Sequence, residues 1–383
     1  MRLLTTDASF VLNGLPYQGI PFLLDEEMRL VEPVNRFLIY NSIHRGTSNS
    51  PKTWKTYGWH LYDYFSFLEA NNLAWDCEFE RGTPTVVSMY RNWSARRNSP
   101  NTVNQRIKAV VRFYQYAHNN RLIENLPWDM EDRVVLRDGG FLAHLGGSNI
   151  IRVADVMTRK SQGVIEVLTR AQIGILLNRL KGNKAHYLMT KLALATGLRK
   201  QEVMSFPAKY VVNPDFIKEK SIKVTLNPSE METKGNKMRS IFMPKTLMAE
   251  LWDFKIFERA KIASECEVLE KACDDVLFLN YRGKQQSPSA FNKVLDRTQV
   301  DIGFNVHPHI LRHTFATHEL HSMRESGNIS TALMWVKERM GHSSVKTTEG
   351  YLHLLAEIDH HFLSEVRYDL DKLMHEQEAK AGV

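Results

Sequence analysis

Apolar positions recur at three- and four-residue spacing through most of the chain, which predicts a mainly helical protein. Leu30, Val31, Val34, Phe37, Leu38 and Ile39 share one helical face in a segment beginning near residue 25, and the polar run Gly46-Thr47-Ser48-Asn49-Ser50-Pro51 interrupts it. A second helix is predicted over 53–70, with Tyr57, Leu61, Tyr64, Phe65, Phe67 and Leu68 on one side, and a third over 84–97. Ser99-Pro100 opens a fourth, whose apolar face is Ile107, Val110, Val111, Phe113, Tyr114 and Ala117. Thr169 and Gln172 form a capping-box pattern ahead of an apolar run at 173–180, and Gly197 stops a buried helix over 187–196.

The period changes to two between 217 and 244. Ile222, Val224 and Leu226 alternate, as do Ile241 and Met243, with Thr233-Lys234-Gly235-Asn236 as the turn, so a small antiparallel sheet is expected there. Another short strand is expected at Val276-Leu277-Phe278-Leu279, and helical patterns fill most of 245–379 otherwise. Asn13-Gly14 marks a hairpin turn near the start. The fold class is therefore mainly α with a small antiparallel β-sheet. Paired glycines at 139–140 and 146–147 and mixed charge at 158–163 make 131–167 an interdomain linker, with a new domain opening near 168.

With 383 residues, 43% of them hydrophobic, the chain is long enough to bury two cores. Its net charge of +7 suits a polyanionic partner, and the charge is unevenly spread. Between residues 82 and 123 there is no Asp or Glu, while Arg91, Arg96, Arg97, Arg106, Lys108, Arg112 and Arg121 all occur. That segment is the expected DNA-backbone footprint, with a solvated basic face as the plainer reading. Three cysteines without metal-knuckle or disulfide spacing, no apolar run of roughly 18 residues and no basic-then-apolar leader pattern point to a soluble, cytoplasmic, nucleoid-associated protein with no membrane partner. His313, His318 and His321 have poor spacing for zinc, so no metal and no cofactor is expected.

The chemistry concentrates in three segments. Arg199 lies in Thr196-Gly197-Leu198-Arg199-Lys200-Gln201-Glu202. His309 and Arg312 lie three apart, on one face if helical, and Gly341-His342 is followed nine residues later by Tyr351. A phosphodiester approaching a pentacoordinate transition state gains negative charge on its non-bridging oxygens, and guanidinium forks that stay charged suit that task. Arg199 and Arg312 are the candidate clamp. Tyr351 is the candidate nucleophile; its phenol has an ordinary pKa near 10 and needs local positive charge or a base to react at neutral pH.

This ordered set resembles the active site of the tyrosine recombinases, the phage-integrase family, over about residues 168–365 and more loosely over 30–130. The resemblance implies catalytic residues Arg199, Lys234, His309, Arg312, His342 and Tyr351. Lys234, before Gly235 in a hairpin turn, would be the general acid, with Lys237 in the same turn as a rival. Glu202 matches an acidic position that orients the first Arg. Implied domains are an extension at 1–24, a helical SAM-like core-binding domain at 25–130, the linker at 131–167, a mixed α/β catalytic domain at 168–365 and a tail at 366–383. The family's clamp of two domains holds double-stranded DNA and works as a homotetramer on synapsed sites, sometimes with an accessory directionality factor.

Its reaction passes through a 3′-phosphotyrosyl linkage and needs neither ATP nor a divalent metal. Met340 replaces the usual Leu before Gly341-His342, a near-isosteric change, and residues 321–329 are an extra stretch. Apolar positions from Leu354 to Leu373 would dock on a neighbouring protomer. Three functions remain open at this point: a site-specific recombinase or integrase of a mobile element, a type IB topoisomerase, and a non-catalytic DNA-binding protein on the same fold.

Overall fold

The computed structural model describes residues 1–45, 50–78, 83–135, 149–158, 165–268, 273–324 and 329–341. The chain divides into two compact units, Met1–Gly163 and Val164–Val383. Among the described residues, no helix is long and apolar enough to cross a membrane.

In the first unit, β1 (Arg2–Thr5) pairs antiparallel with β4 (Pro21–Leu24), and β2 (Val11–Leu12) with β3 (Leu15–Pro16). The β2–β3 turn is the expected Asn13-Gly14, with φ of 51° and 80°, as a two-residue hairpin with right-handed strand twist requires. Four helices follow: α1 (Glu32–Ile39), α2 (Pro51–Ala70), α3 (Val86–Ala95) and α4 (Pro100–Asn119). α1 begins at Glu32 rather than near residue 25, because Pro33 fits only a helix's first turn; Leu30, left outside, is exposed. Thr85 caps α3 by accepting from Ser88 N, and Ser99 caps α4 by accepting from Thr102 N.

The helices bury Phe37, Leu61, Tyr64, Tyr90, Ile107, Val110, Phe113 and Tyr114 together. Two buried phenols form a chain: the Tyr64 hydroxyl lies 2.6 Å from that of Tyr114 and donates to it, and Tyr114 donates to the Trp75 carbonyl at 2.6 Å. The 131–167 stretch contains more than a connection. β5 (Met130–Val135) and β6 (Asn149–Ala154) pair antiparallel from Met130↔Ala154 to Val135↔Asn149.

The second unit opens with α5 (Arg170–Leu180), started by the expected capping box: Gln172 N donates to Thr169 Oγ1 and Thr169 N to Gln172 Oε1. Then come α6 (Lys184–Thr196), α7 (Lys200–Met204), the antiparallel pair β7 (Ser221–Leu226) and β8 (Arg239–Pro244), α8 (Lys245–Phe254), α9 (Ala260–Val268), α10 (Pro288–Ile302), α11 (Pro308–Arg324) and α12 (Ile329–Met340). On β7 alternate residues Ile222, Val224 and Leu226 are buried, and on β8 Ile241 and Met243. Val276–Leu279 forms only isolated bridges, Pro207↔Val276 and Leu279↔Gln285, rather than a paired strand. α11 packs against both α6 and α12.

Candidate active site

α6 ends at Gly197, whose φ of +65° is one that side chains with a Cβ adopt at a cost. The position is also crowded, since a Cβ there would lie 2.3 Å from Phe315 Cδ1 of α11. Glycine thus lets the chain turn sharply against α11 and present its carbonyl inward. Arg312 Nη1 donates to that carbonyl, and Arg312 Nη2 donates to the carbonyl of Met340. The Arg312 side chain is almost fully buried, so these bonds hold its fork in one orientation at the junction of α6, α11 and α12.

Arg199 caps the start of α7 two residues beyond Gly197. Its backbone N donates to Glu202 Oε2 at 2.8 Å, its Nη1 reaches Glu202 Oε1 at 3.3 Å, and its Nη2 reaches the Gly341 carbonyl at 3.4 Å. Arg199 and Arg312 therefore touch adjacent carbonyls, Gly341 and Met340, one and two residues ahead of His342 in the chain.

Glu202 is only 1% exposed and also faces Arg239. Arg239 Nη1 donates to Glu202 Oε1 at 2.9 Å, and Nη2 to Oε2 at 2.6 Å, a two-point pairing of fork and carboxylate. Its Nε donates to the Arg339 carbonyl at 2.9 Å. Burial opposes the charged form of Glu202, but the bonds and charge of Arg239, aided by Arg199, outweigh it and hold the carboxyl below its ordinary value. With Arg199, Arg239 and Arg312 around a single ionised Glu202, the cluster keeps an excess of two positive charges.

His309 sits on the first turn of α11 with its side chain open to solvent on one side. Burial, then the charges of His307, Arg312, Lys200 and Arg199, push its pKa down, so it lies in the same cationic field and is neutral at neutral pH. Its ring stacks on that of His313 at 6.1 Å, and His313 is driven down to about 4, first by burial and then by His309, Arg312 and His307.

Lys234 and Lys237 are both exposed in the turn between β7 and β8, where Gly235 and Asn236 have positive φ. His342 and Tyr351 lie outside the described residues, as does the 354–373 apolar stripe. The structure thus brings Arg199, Glu202, His309 and Arg312 together. Sequence reasoning missed Arg239, although a signal was present: it shares the inward face of β8 with Ile241 and Met243, where a charge requires a partner.

The expected DNA footprint in the first unit divides. Lys108 and Arg112 on α4, with Lys52, Thr56, Tyr57 and His60 on α2, line a groove of about 390 Å³, and the Arg112 guanidinium lies 5.5 Å from the Tyr57 ring centroid. Arg96 and Arg97 are exposed and Arg91 is half-buried. Arg106 instead turns inward, its Nη1 2.7 Å from Asp63 Oδ2.

These features define a class. Residues 166–357 match the phage integrase family, and the chain belongs to that family. Among its relatives, transposase A from transposon Tn554 of Staphylococcus aureus is 29% identical over 354 residues, covering 87% of this chain and 90% of the relative. Tyrosine recombinase XerD of Halalkalibacterium halodurans is 22% identical over 334 residues, covering 84% of this chain and 92% of the relative. The fold matches the XerH site-specific recombinase bound to a palindromic difH substrate, with TM-score 0.54, 16% identity, and 86% and 87% of the two chains covered. It also matches the Tn1549 transposon integrase in complex with transposon right end DNA, with TM-score 0.54, 17% identity, and 85% and 97% covered.

Proposed function

We propose that this chain is a site-specific DNA recombinase of a mobile element, cutting and rejoining double-stranded DNA through a 3′-phosphotyrosyl intermediate. The observation that carries the reading is the convergence of Arg199 and Arg312 on neighbouring carbonyls just before His342, within a cluster of net positive charge. A phosphodiester carries one negative charge and its pentacoordinate transition state two, so an excess of two positive charges favours the transition state over the ground state.

In this reading the Tyr351 oxygen attacks phosphorus while the bond to the 5′ oxygen breaks. Lys234 gives that oxygen its proton, and the phenolic proton leaves to a neighbouring histidine, His342 or the neutral His309. The 5′-hydroxyl of a partner strand then attacks the phosphotyrosyl bond, and the proton transfers run in reverse. One phosphodiester replaces another, so no external energy source enters the balance. Lys108 and Arg112, with Arg91, Arg96 and Arg97, supply cationic contacts to the DNA backbone from the first unit. Four copies act on two synapsed sites, and an accessory directionality factor sets which product forms.

The test is a nicked duplex carrying the boundary sequence of the element that encodes the chain. The unsubstituted chain is expected to leave a protein–DNA adduct on a denaturing gel, whereas Tyr351→Phe binds the duplex equally well and leaves none. A normal amount of adduct from Tyr351→Phe would remove Tyr351 from the mechanism. Relaxation of supercoiled DNA without joining of two sites would assign the chain to topoisomerase action instead.

A further inference from the structure

We infer that Arg239 is a positioning residue for the phosphate clamp, holding Arg199 in its reactive orientation through Glu202; the inference rests on the recombinase reading above. All three nitrogens of its guanidinium are engaged on two other elements. Nη1 and Nη2 take both oxygens of Glu202 on α7, at 2.9 and 2.6 Å, and Nε takes the Arg339 carbonyl at the end of α12, at 2.9 Å. Its aliphatic stem fills the space beside Gly341, where a Cβ would lie 3.3 Å from Arg239 Cδ.

One side chain therefore joins the first residue of β8, the helix that Arg199 caps, and Arg339 and Gly341 shortly before His342. β8 is also the strand that emerges from the turn carrying Lys234.

Stability alone accounts poorly for this arrangement. A buried ion pair often contributes no more than an apolar pair of the same volume, because desolvating both charges offsets their attraction. Orientation accounts for it better. Glu202 accepts from the backbone and side chain of Arg199 as well as from Arg239, so without the Arg239 fork the carboxylate is free to rotate toward Arg199 and draw its guanidinium off the phosphate. A second arginine on the same carboxylate divides its charge and keeps Arg199 available. Lysine offers one nitrogen and cannot replace a fork that spans both carboxylate oxygens and a carbonyl.

The test measures adduct formation on two nicked duplexes at saturating protein. One carries the ordinary scissile phosphate and the other a neutral methylphosphonate, which has lost one of the charges the clamp neutralises. Arg239→Met is expected to bind both duplexes with unchanged affinity and to cleave the phosphate about 10- to 100-fold more slowly, the usual effect of removing a group that orients a reacting one. On the methylphosphonate its rate is expected to approach that of the unsubstituted chain, and Arg199→Ala should show the same preference. Glu202→Gln should make the Arg239→Met loss smaller than in the parent, because both act along one path.

Arg239→Lys, which keeps the charge without the fork, is expected to show the same selective loss and serves if Arg239→Met fails to fold. Equal slowing on both duplexes, or a full rate from Arg239→Lys on the phosphate, would make Arg239 a structural residue only and overturn the inference. No adduct from the unsubstituted chain on either duplex would overturn the recombinase reading beneath it.

Discussion

Arg106 and Asp63 form an ion pair with 2.7 Å between Nη1 and Oδ2, and Tyr90 donates its hydroxyl to the same carboxylate oxygen at 2.5 Å. Desolvation and the neighbouring Asp63 raise the Tyr90 pKa far above the ordinary phenol value, so it remains a donor. The charge that the acid-free segment contributes at Arg106 is thus balanced by an acid 43 residues earlier in the chain, on α2.

This relationship separates stability from DNA affinity. Arg106→Ala should lower the stability of the first unit by about 1–3 kcal/mol, the range for losing a charged hydrogen bond, and leave the salt dependence of DNA binding nearly unchanged. Replacing Lys108 and Arg112 with Ala should do the opposite: the slope of log affinity against log salt should shrink by roughly 0.9 for each phosphate that the protein no longer neutralises. Urea midpoints and binding titrations at several salt concentrations measure both. A large fall in slope for Arg106→Ala would mean that Asp63 releases it to the DNA.

Much of this fold was legible from periodicity. The capping box of α5 and the alternation on β7 follow from local spacing and are present in the structure. The β5–β6 pair was not legible, because Glu131-Asp132-Arg133 places charge across half of β5 and hides its period. At the site, Arg199, Glu202, His309 and Arg312 could be read because they stand in short motifs with fixed spacing. Arg239 and Asp63 could not be assigned their partners that way. Each depends on a residue tens of positions away, at Glu202 and Arg106, and a lone charged residue in sequence reads as a solvated one.

The histidines of α11 give the second unit a pH dependence with a definite sign. His313 has an ordinary pKa of 6.5 when unfolded and about 4 when folded, where burial, then His309, Arg312 and His307, resist a further positive charge. Above pH 6.5 neither state binds this proton and stability is unaffected. As pH falls from 6.5 toward 4, the unfolded chain takes up the proton first, so stability declines across that window. His313→Gln should flatten the decline over that same window in urea unfolding. Parallel curves for the two proteins would show that other groups, such as His309, carry the effect.

The exposed turn between β7 and β8 leaves Lys234 and Lys237 as rivals for protonating the 5′ oxygen, and leaving-group chemistry can separate them. General acid catalysis contributes about 10²- to 10⁴-fold, so the responsible lysine's alanine variant should cleave ordinary DNA that much more slowly. A substrate with sulfur at the bridging 5′ position expels a thiolate, which is stable near neutral pH without a proton. It should therefore restore Lys234→Ala to nearly the rate of the unsubstituted chain. It should not restore Arg312→Ala, whose defect lies in stabilising charge on the non-bridging oxygens, which sulfur at the bridging position leaves in place. Lys237→Ala should be close to normal on both substrates. Rescue of Lys237→Ala alone would transfer the general acid to that residue, and failure of sulfur to rescue either lysine variant would remove the turn from proton transfer.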